Sequence, residues 1–191
     1  MDDKSNYFVT WWRRTIRRFC GNNKGAAAIE MALVAAPFFA LIFATLESGL
    51  VRFSEFALEK KVAEAGRLLR TGQMKSTTSD HSDFKAAICN EVAPMFDCSK
   101  LVVDVRSFTD FKGLDEADLP SPITEGKTLR NLNNWNSGGE SDVVVVRVFY
   151  EWSLLMPGVI TQMDNLRDGK RLIAASISFR NEPFEALAQA N

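Results

Sequence analysis

The spacing of apolar and polar positions changes along the chain, and each pattern predicts a different element. From Gly25 to Leu46 the sequence is almost continuously apolar over 22 residues, close to the ~20 that an α-helix needs to cross a membrane. Beyond Leu46, apolar residues recur three and four positions apart, so the helix is predicted to continue to about residue 71 as an amphipathic helix. Its predicted apolar stripe consists of Leu50, Phe53, Ala57, Leu58, Val62, Ala65 and Leu69.

The second half of the chain changes to a period of two, which is typical of β-strands with one buried face. The apolar positions form three sets: Leu101, Val103 and Val105; Val144, Val146, Val148, Tyr150, Trp152 and Leu154; and Ile173, Ala175, Ile177 and Phe179. Residues 75–82 predict a loop, residues 82–92 a short helix, and the proline- and glycine-containing residues 112–141 a long surface loop. The sequence therefore predicts an α+β fold, in which a small antiparallel sheet packs on the long helix.

Charge is distributed unevenly along the chain. Residues 1–24 contain six basic and two acidic side chains, whereas the remainder has 17 basic and 22 acidic ones. Because basic residues before a span are retained in the cytoplasm, we expect a cytoplasmic leader (1–25), a transmembrane helix (26–46) and a periplasmic domain (47–191) in the bacterial inner membrane. A cleavable secretory signal fits less well, since its apolar region is only ~7–15 residues long. The acidic surplus of the main body argues against nucleic acid as a partner.

An acidic residue, Glu30, interrupts the apolar run five residues after its start. In an unprocessed chain, Glu30 could lie one turn inside the membrane interface and extend its carboxylate to water. Cleavage after Gly25 would instead give Ala26 a new ammonium group, about 6 Å along the helix axis from Glu30. Since the helix dipole disfavours a cation at that end, the Glu30 of a neighbouring chain would be the better partner. Such a pair would align subunits in register within the bilayer.

The segment Gly25–Ala26–Ala27–Ala28–Ile29–Glu30, followed by Ala32, Leu33, Pro37, Glu47 and Gly49, resembles the type IV prepilin signal. It is most similar to the TadE-like family, the minor pilin-like proteins of tight-adherence pilus systems. The resemblance covers residues 24–66. It implies processing by a prepilin peptidase, partners among other pilin subunits and the pilus assembly platform, and a pilin-like head. Within the predicted span, Pro37 removes a helical hydrogen bond, which a static anchor tolerates.

Three cysteines are divided between the predicted compartments. Cys20 lies in the leader, whereas Cys89 and Cys98 follow the span and would meet the oxidising periplasm. We predict a disulfide between Cys89 and Cys98, with free buried thiols as the alternative. Closing a loop of about ten residues would stabilise the fold by roughly 2.5–3 kcal/mol.

Catalytic chemistry is not evident in the sequence. The single histidine, His81, is expected to be a solvated loop residue, and residues 121–128 only partly resemble a phosphate-binding loop and are interpreted as a turn. We therefore expect no metal, no cofactor and no enzymatic activity. Three hypotheses remain at this point: a processed pilin-like subunit, an unprocessed scaffold of the pilus assembly machine, and an anchored periplasmic enzyme or binding module.

Overall fold

The structure is a computed structural model that describes residues 25–74, 81–92, 95–156 and 162–183. Contacts within the chain form two units, residues 1–45 and 46–191. The predicted leader, apart from Gly25, and most of the predicted loop at residues 75–82 lie outside the described residues. The helices and strands are α1 (Ala26–Arg70), α2 (His81–Val92), β1 (Val102–Phe108), α3 (Phe111–Asp115), β2 (Val143–Ser153) and β3 (Lys170–Arg180).

Helix α1 confirms the long helix predicted from residue 26 to about residue 71. It ends where Gly72 adopts a positive φ of 74°, a conformation that glycine reaches without a steric penalty. The Gly72 N–H donates to the Leu69 carbonyl at 3.0 Å, and the Met74 N–H donates to the Leu68 carbonyl at 3.4 Å. These bonds satisfy carbonyl groups that the end of a helix would otherwise leave unpaired.

The three strands form one antiparallel sheet in the order β1-β2-β3. In the register, Val105 lies opposite Val146, which in turn lies opposite Ile177. Predicted inward positions are therefore neighbours on the same face. The α+β fold is confirmed, although β2 ends at Ser153 and does not include Leu154.

The core of the second unit lies between this sheet face and the two helices α1 and α2. It is formed by Leu58, Val62, Ala65, Leu69, Phe84, Ile88, Val92, Phe96, Leu101, Val103, Val105, Val144, Val146, Val148, Tyr150, Ile173 and Ala175. Gly66 allows the closest approach, because a Cβ atom added there would lie 2.1 Å from Cδ1 of Ile177. The missing side chain thus lets α1 pack closely against β3.

The first part of the predicted apolar stripe is wrong. Leu50 and Phe53 are 41% and 60% exposed, and the buried positions are instead Glu47, Val51, Ser54, Leu58, Val62, Ala65, Gly66 and Leu69. The buried positions continue the spacing of three and four residues seen between Leu58 and Leu69 towards the N-terminus. They include two polar residues, Glu47 and Ser54. The buried hydroxyl of Ser54 has a hydrogen-bond partner, because its Oγ donates to the Leu50 carbonyl at 2.8 Å.

Residues 112–141 contain little regular structure, as expected, but they also cover an edge of the sheet. Trp135 forms an isolated parallel bridge with Val105, whose N–H donates to the Asn134 carbonyl at 2.9 Å. The Trp135 ring packs against Phe84, with the ring centroids 5.5 Å apart. This segment therefore occupies part of the free edge of β1, which an open strand would otherwise present to other chains.

Candidate functional site

The predicted processing sequence lies at the start of α1. Gly25 directly precedes the helix, Ala26 is its first residue, and both residues are exposed. The first four N–H groups of a helix have no partner within it, so the Ala26 N–H of the Gly25–Ala26 peptide bond is not part of the helical hydrogen-bond ladder. A Cβ atom added at Gly25 would meet nothing within 4 Å.

Glu30 lies four residues after Ala26 on the same helix and is exposed. Residues four apart share one face of a helix, so Ala26 and Glu30 point to the same side. Within the described part of the chain, no hydrogen bond or ion pair engages the Glu30 carboxylate. The geometry therefore leaves this acid available to a group from outside the described chain.

The first part of α1 exposes apolar side chains on all sides. The apolar side chains that are more than 50% exposed there are Ile29, Met31, Leu33, Val34, Phe38, Phe39, Leu41 and Phe43. Among the described residues, α1 is the one helix long and apolar enough to cross a membrane. None of the residues in its most apolar 18-residue stretch is buried. One N-terminal apolar helix of this kind fits a single-pass membrane protein. Pro37 lies inside the helix, which continues through it.

A second acid on α1, Glu47, has a different environment. It directly follows the apolar run and is only 4% exposed. Its carboxylate accepts hydrogen bonds from the backbone N–H groups of Leu155 and Met156, the latter at 3.1 Å and 3.2 Å from the two oxygens. Glu47 thus fixes the chain that leaves β2 against the helix. The sequence interpretation missed this role, although extending the 58–69 spacing back through Ser54 and Val51 reaches Glu47.

Cys89 and Cys98 are joined as a disulfide, with their Cα atoms 5.8 Å apart, within the usual range for such a bond. The pair connects the C-terminal part of α2 to the 3-10 turn Cys98–Lys100. It brackets Phe96, which belongs to the core.

The disulfide predicts how many thiols react in the isolated protein. Alkylation of the unfolded full-length chain without reductant should label only Cys20, and prior reduction should allow all three cysteines to react. Mass spectrometry of the intact protein counts the added groups. Labelling of Cys89 and Cys98 without reductant would contradict the bond.

His81 is not the solvated loop residue that the sequence predicted. It is the first residue of α2 and is half-buried, and its Nε2 atom lies 3.0 Å from the Val103 carbonyl oxygen. Its ring packs edge-on against Trp135, with the ring centroids 5.9 Å apart. These contacts give His81 a structural role in joining α2 to β1 and to the 112–141 segment.

Asp104 is the second residue that the sequence interpretation missed, because it alternates with the predicted inward positions Val103 and Val105 and so falls on the other face of β1. Asp104 is completely buried and accepts hydrogen bonds from Arg147, from Arg106 Nε at 3.1 Å and from Asn134 at 3.1 Å. Arg147 also donates to the Pro120 carbonyl at 3.1 Å. The cluster therefore attaches the 112–141 segment to the outer face of the sheet.

The electrostatics of this cluster favour the ionised acid. Burial alone would raise the pKa of Asp104, but hydrogen bonds from Arg147, Asn134 and Arg106 outweigh it and lower the pKa below its ordinary value. Within the described ranges, no group of three or more His, Cys, Asp and Glu side chains could hold a metal ion. Residues 121–128 form a closed turn, in which Thr124 N–H donates to the Thr128 carbonyl at 2.9 Å.

Known proteins were compared with the chain at the level of families, curated proteins and solved structures. No curated protein and no solved structure matches the chain. A family model described as "TadE-like protein" matches residues 25–67, a range that contains Gly25, Ala26, Glu30, Pro37 and Glu47. The resemblance expected from the sequence is thereby confirmed: residues 25–67 of this chain match the TadE-like family model.

Proposed function

We propose that this chain is a minor pilin-like subunit needed for assembly of a tight-adherence pilus. The single observation that supports this function most is the TadE-like match, which indicates a protein associated with that class of pilus. It coincides with an exposed apolar helix carrying one acid near its start. We propose a structural role without enzymatic activity or a cofactor.

In the proposed pathway, the leader lies in the cytoplasm and residues 47–191 lie in the periplasm. A prepilin peptidase in the inner membrane cleaves after Gly25, and the assembly platform then transfers the subunit among other pilin subunits. Cleavage creates an ammonium group on Ala26, and its pairing with the Glu30 carboxylate of an adjacent subunit removes an uncompensated charge from an apolar environment. The exposed face of α1 supplies the surface that subunits share.

An unprocessed single-pass scaffold of the assembly machine is the alternative function. Such a protein would use the same apolar helix as an anchor and would need no new N-terminus. The two functions differ in one observable, the first residue of the protein in sheared pili and in membranes.

Gly25→Ala is expected to block processing, so that the protein keeps residues upstream of Ala26. Since an added Cβ meets nothing within 4 Å at either glycine, Gly49→Ala in the same helix is the matched control and should be processed normally. N-terminal sequencing of the membrane-bound protein checks both variants, and the unmodified chain should begin at Ala26. An unmodified chain that begins upstream of Ala26 beside an active peptidase would contradict the processed function.

A further inference from the structure

A group of exposed apolar side chains lies where α1 leaves its apolar run. Leu46, the last residue of that run, is 63% exposed, and Leu50 one turn later is 41% exposed. Leu155, just after β2, is 82% exposed, more than any other large apolar side chain in the described residues. Exposing a leucine to water in this way is unfavourable, which points to an apolar neighbour outside the chain.

Hydrogen bonds fix the height of this surface along α1. The Leu155 and Met156 N–H groups both donate to the carboxylate of Glu47, which places Leu155 level with the residue that follows Leu46. At the other described end of the β2–β3 connection, the Met163 sulfur lies 3.3 Å from the hydroxyl of Ser48 on α1. Both described ends of this connection therefore lie beside residues 47 and 48.

This height coincides with the edge of the membrane if α1 spans it. The helix rises about 1.5 Å per residue, so the twenty steps from Ala26 to Leu46 cover the ~30 Å hydrocarbon thickness. From Leu154 to Met163 the sequence contains no charged residue, and Asp164 is the first one after it. The backbone N–H groups of Leu155 and Met156 are already paired with Glu47, which removes a cost of placing them next to lipid.

We propose that Leu155, with Leu46 and Leu50, forms a second membrane contact, which inserts into the outer interfacial layer of the bilayer that α1 spans. The occupant is lipid, because Leu46 and Leu50 continue the apolar run of α1 and the Leu155 N–H is bonded to Glu47, at the end of that run. The contact rests on the proposed membrane span, but it does not depend on processing. It would hold the domain close to the membrane until the subunit is extracted.

Fluorophores on single cysteines test the contact in the full-length chain. In a Cys20→Ser background, bimane is attached to Leu155→Cys, with Cys89 and Cys98 left as the disulfide. Glu47 accepts its hydrogen bond from the backbone N–H of Leu155, which the substitution retains. The protein is reconstituted at low density into vesicles of phosphatidylethanolamine and phosphatidylglycerol that carry doxyl-labelled lipids.

Two reference positions calibrate the measurement. Phe111→Cys is the matched control, because Phe111 is 54% exposed and follows the strand end that pairs with Val143, at the opposite end of β2 from Ser153. Phe43→Cys reports on the span itself. We expect doxyl lipids to quench the labels at 155 and 43, and to leave the label at 111 unquenched.

The possible failures are distinguishable. Quenching at 43 but not at 155 overturns the second contact and leaves the span intact. The absence of quenching at 43 overturns the span and the contact together. A label at 155 that doxyl lipids do not quench, and whose emission shifts to the blue as protein density rises, would identify a second copy of the chain as the occupant and would overturn the lipid contact.

Discussion

Replacing Glu30 with glutamine is expected to abolish the pili without removing the protein from the membrane. The amide is isosteric with the acid but carries no charge, so it cannot neutralise the ammonium group on Ala26 of an adjacent subunit. An unpaired charge in the apolar layer is unfavourable, by at most about 2.5–3.5 kcal/mol at mid-membrane on insertion scales and by less near the edge, where Ala26 and Glu30 lie. Each subunit added to a fibre would meet this penalty, which makes the expected loss nearly complete.

The measurement is the amount of subunit in the sheared fraction, compared with the amount in membranes. Glu59→Gln is the matched control, because Glu59 is an exposed acid on the same helix beyond the apolar run. It should leave both fractions unchanged. Normal pili in the Glu30→Gln strain would contradict the subunit function and favour the unprocessed scaffold.

Asp104→Ala is expected to lower the free energy of unfolding by about 3–5 kcal/mol, because it leaves buried positive charge without its partner. The side chain of Arg147 is only 11% exposed and would lose its contact with the carboxylate. Denaturant titration of the full-length protein in detergent, followed by tryptophan fluorescence, measures the change. Asp115→Ala is the control, since Asp115 is exposed and its removal should change stability by no more than ~0.5 kcal/mol.

The lowered pKa of Asp104 gives this prediction a pH dependence. A carboxyl whose native pKa lies below the ordinary ~3.9 contributes its full stability above that pH. This contribution to the free energy of unfolding is lost as the pH falls through the lower pKa of Asp104 in the native state. The difference in stability between the unmodified protein and Asp104→Asn should therefore shrink below about pH 4. A difference that is constant from neutral to strongly acidic pH would contradict the ionised cluster.

The sequence predicted those parts of the fold that depend on local periodicity. The start and end of α1 follow from the apolar run and from Gly72, and the three strands follow from alternation at positions such as Val146 and Ile177. The candidate processing sequence could be recognised for the same reason, because Gly25, Ala26 and Glu30 are close together in the chain, and cleavage there stays a prediction. Each of these features requires information from only a few neighbouring residues.

The residues that the sequence could not place are those whose partners are distant in the chain. Glu47 bonds to the backbone 108 residues away, and Asp104 bonds to Arg147 43 residues away. On a local pattern, Glu47 ends an apolar run and Asp104 alternates with valines, so both resemble solvent-facing residues. The stripe on α1 was misjudged for the same reason, since buried Glu47 and Ser54 interrupt its hydrophobic pattern.

On the proposed topology, the position of Phe96 inside the ring closed by Cys89 and Cys98 would link the timing of folding to passage across the membrane. Phe96 packs edge-on against Tyr150 at 4.8 Å, and the Asp97 N–H donates to the Tyr150 hydroxyl at 3.1 Å. In the reducing cytoplasm the ring stays open, so this aromatic cluster lacks its covalent constraint while the chain is translocated. If the domain lies in the periplasm as proposed, oxidation there would close this ring around Phe96, and covalent maturation of the domain would then be a consequence of export.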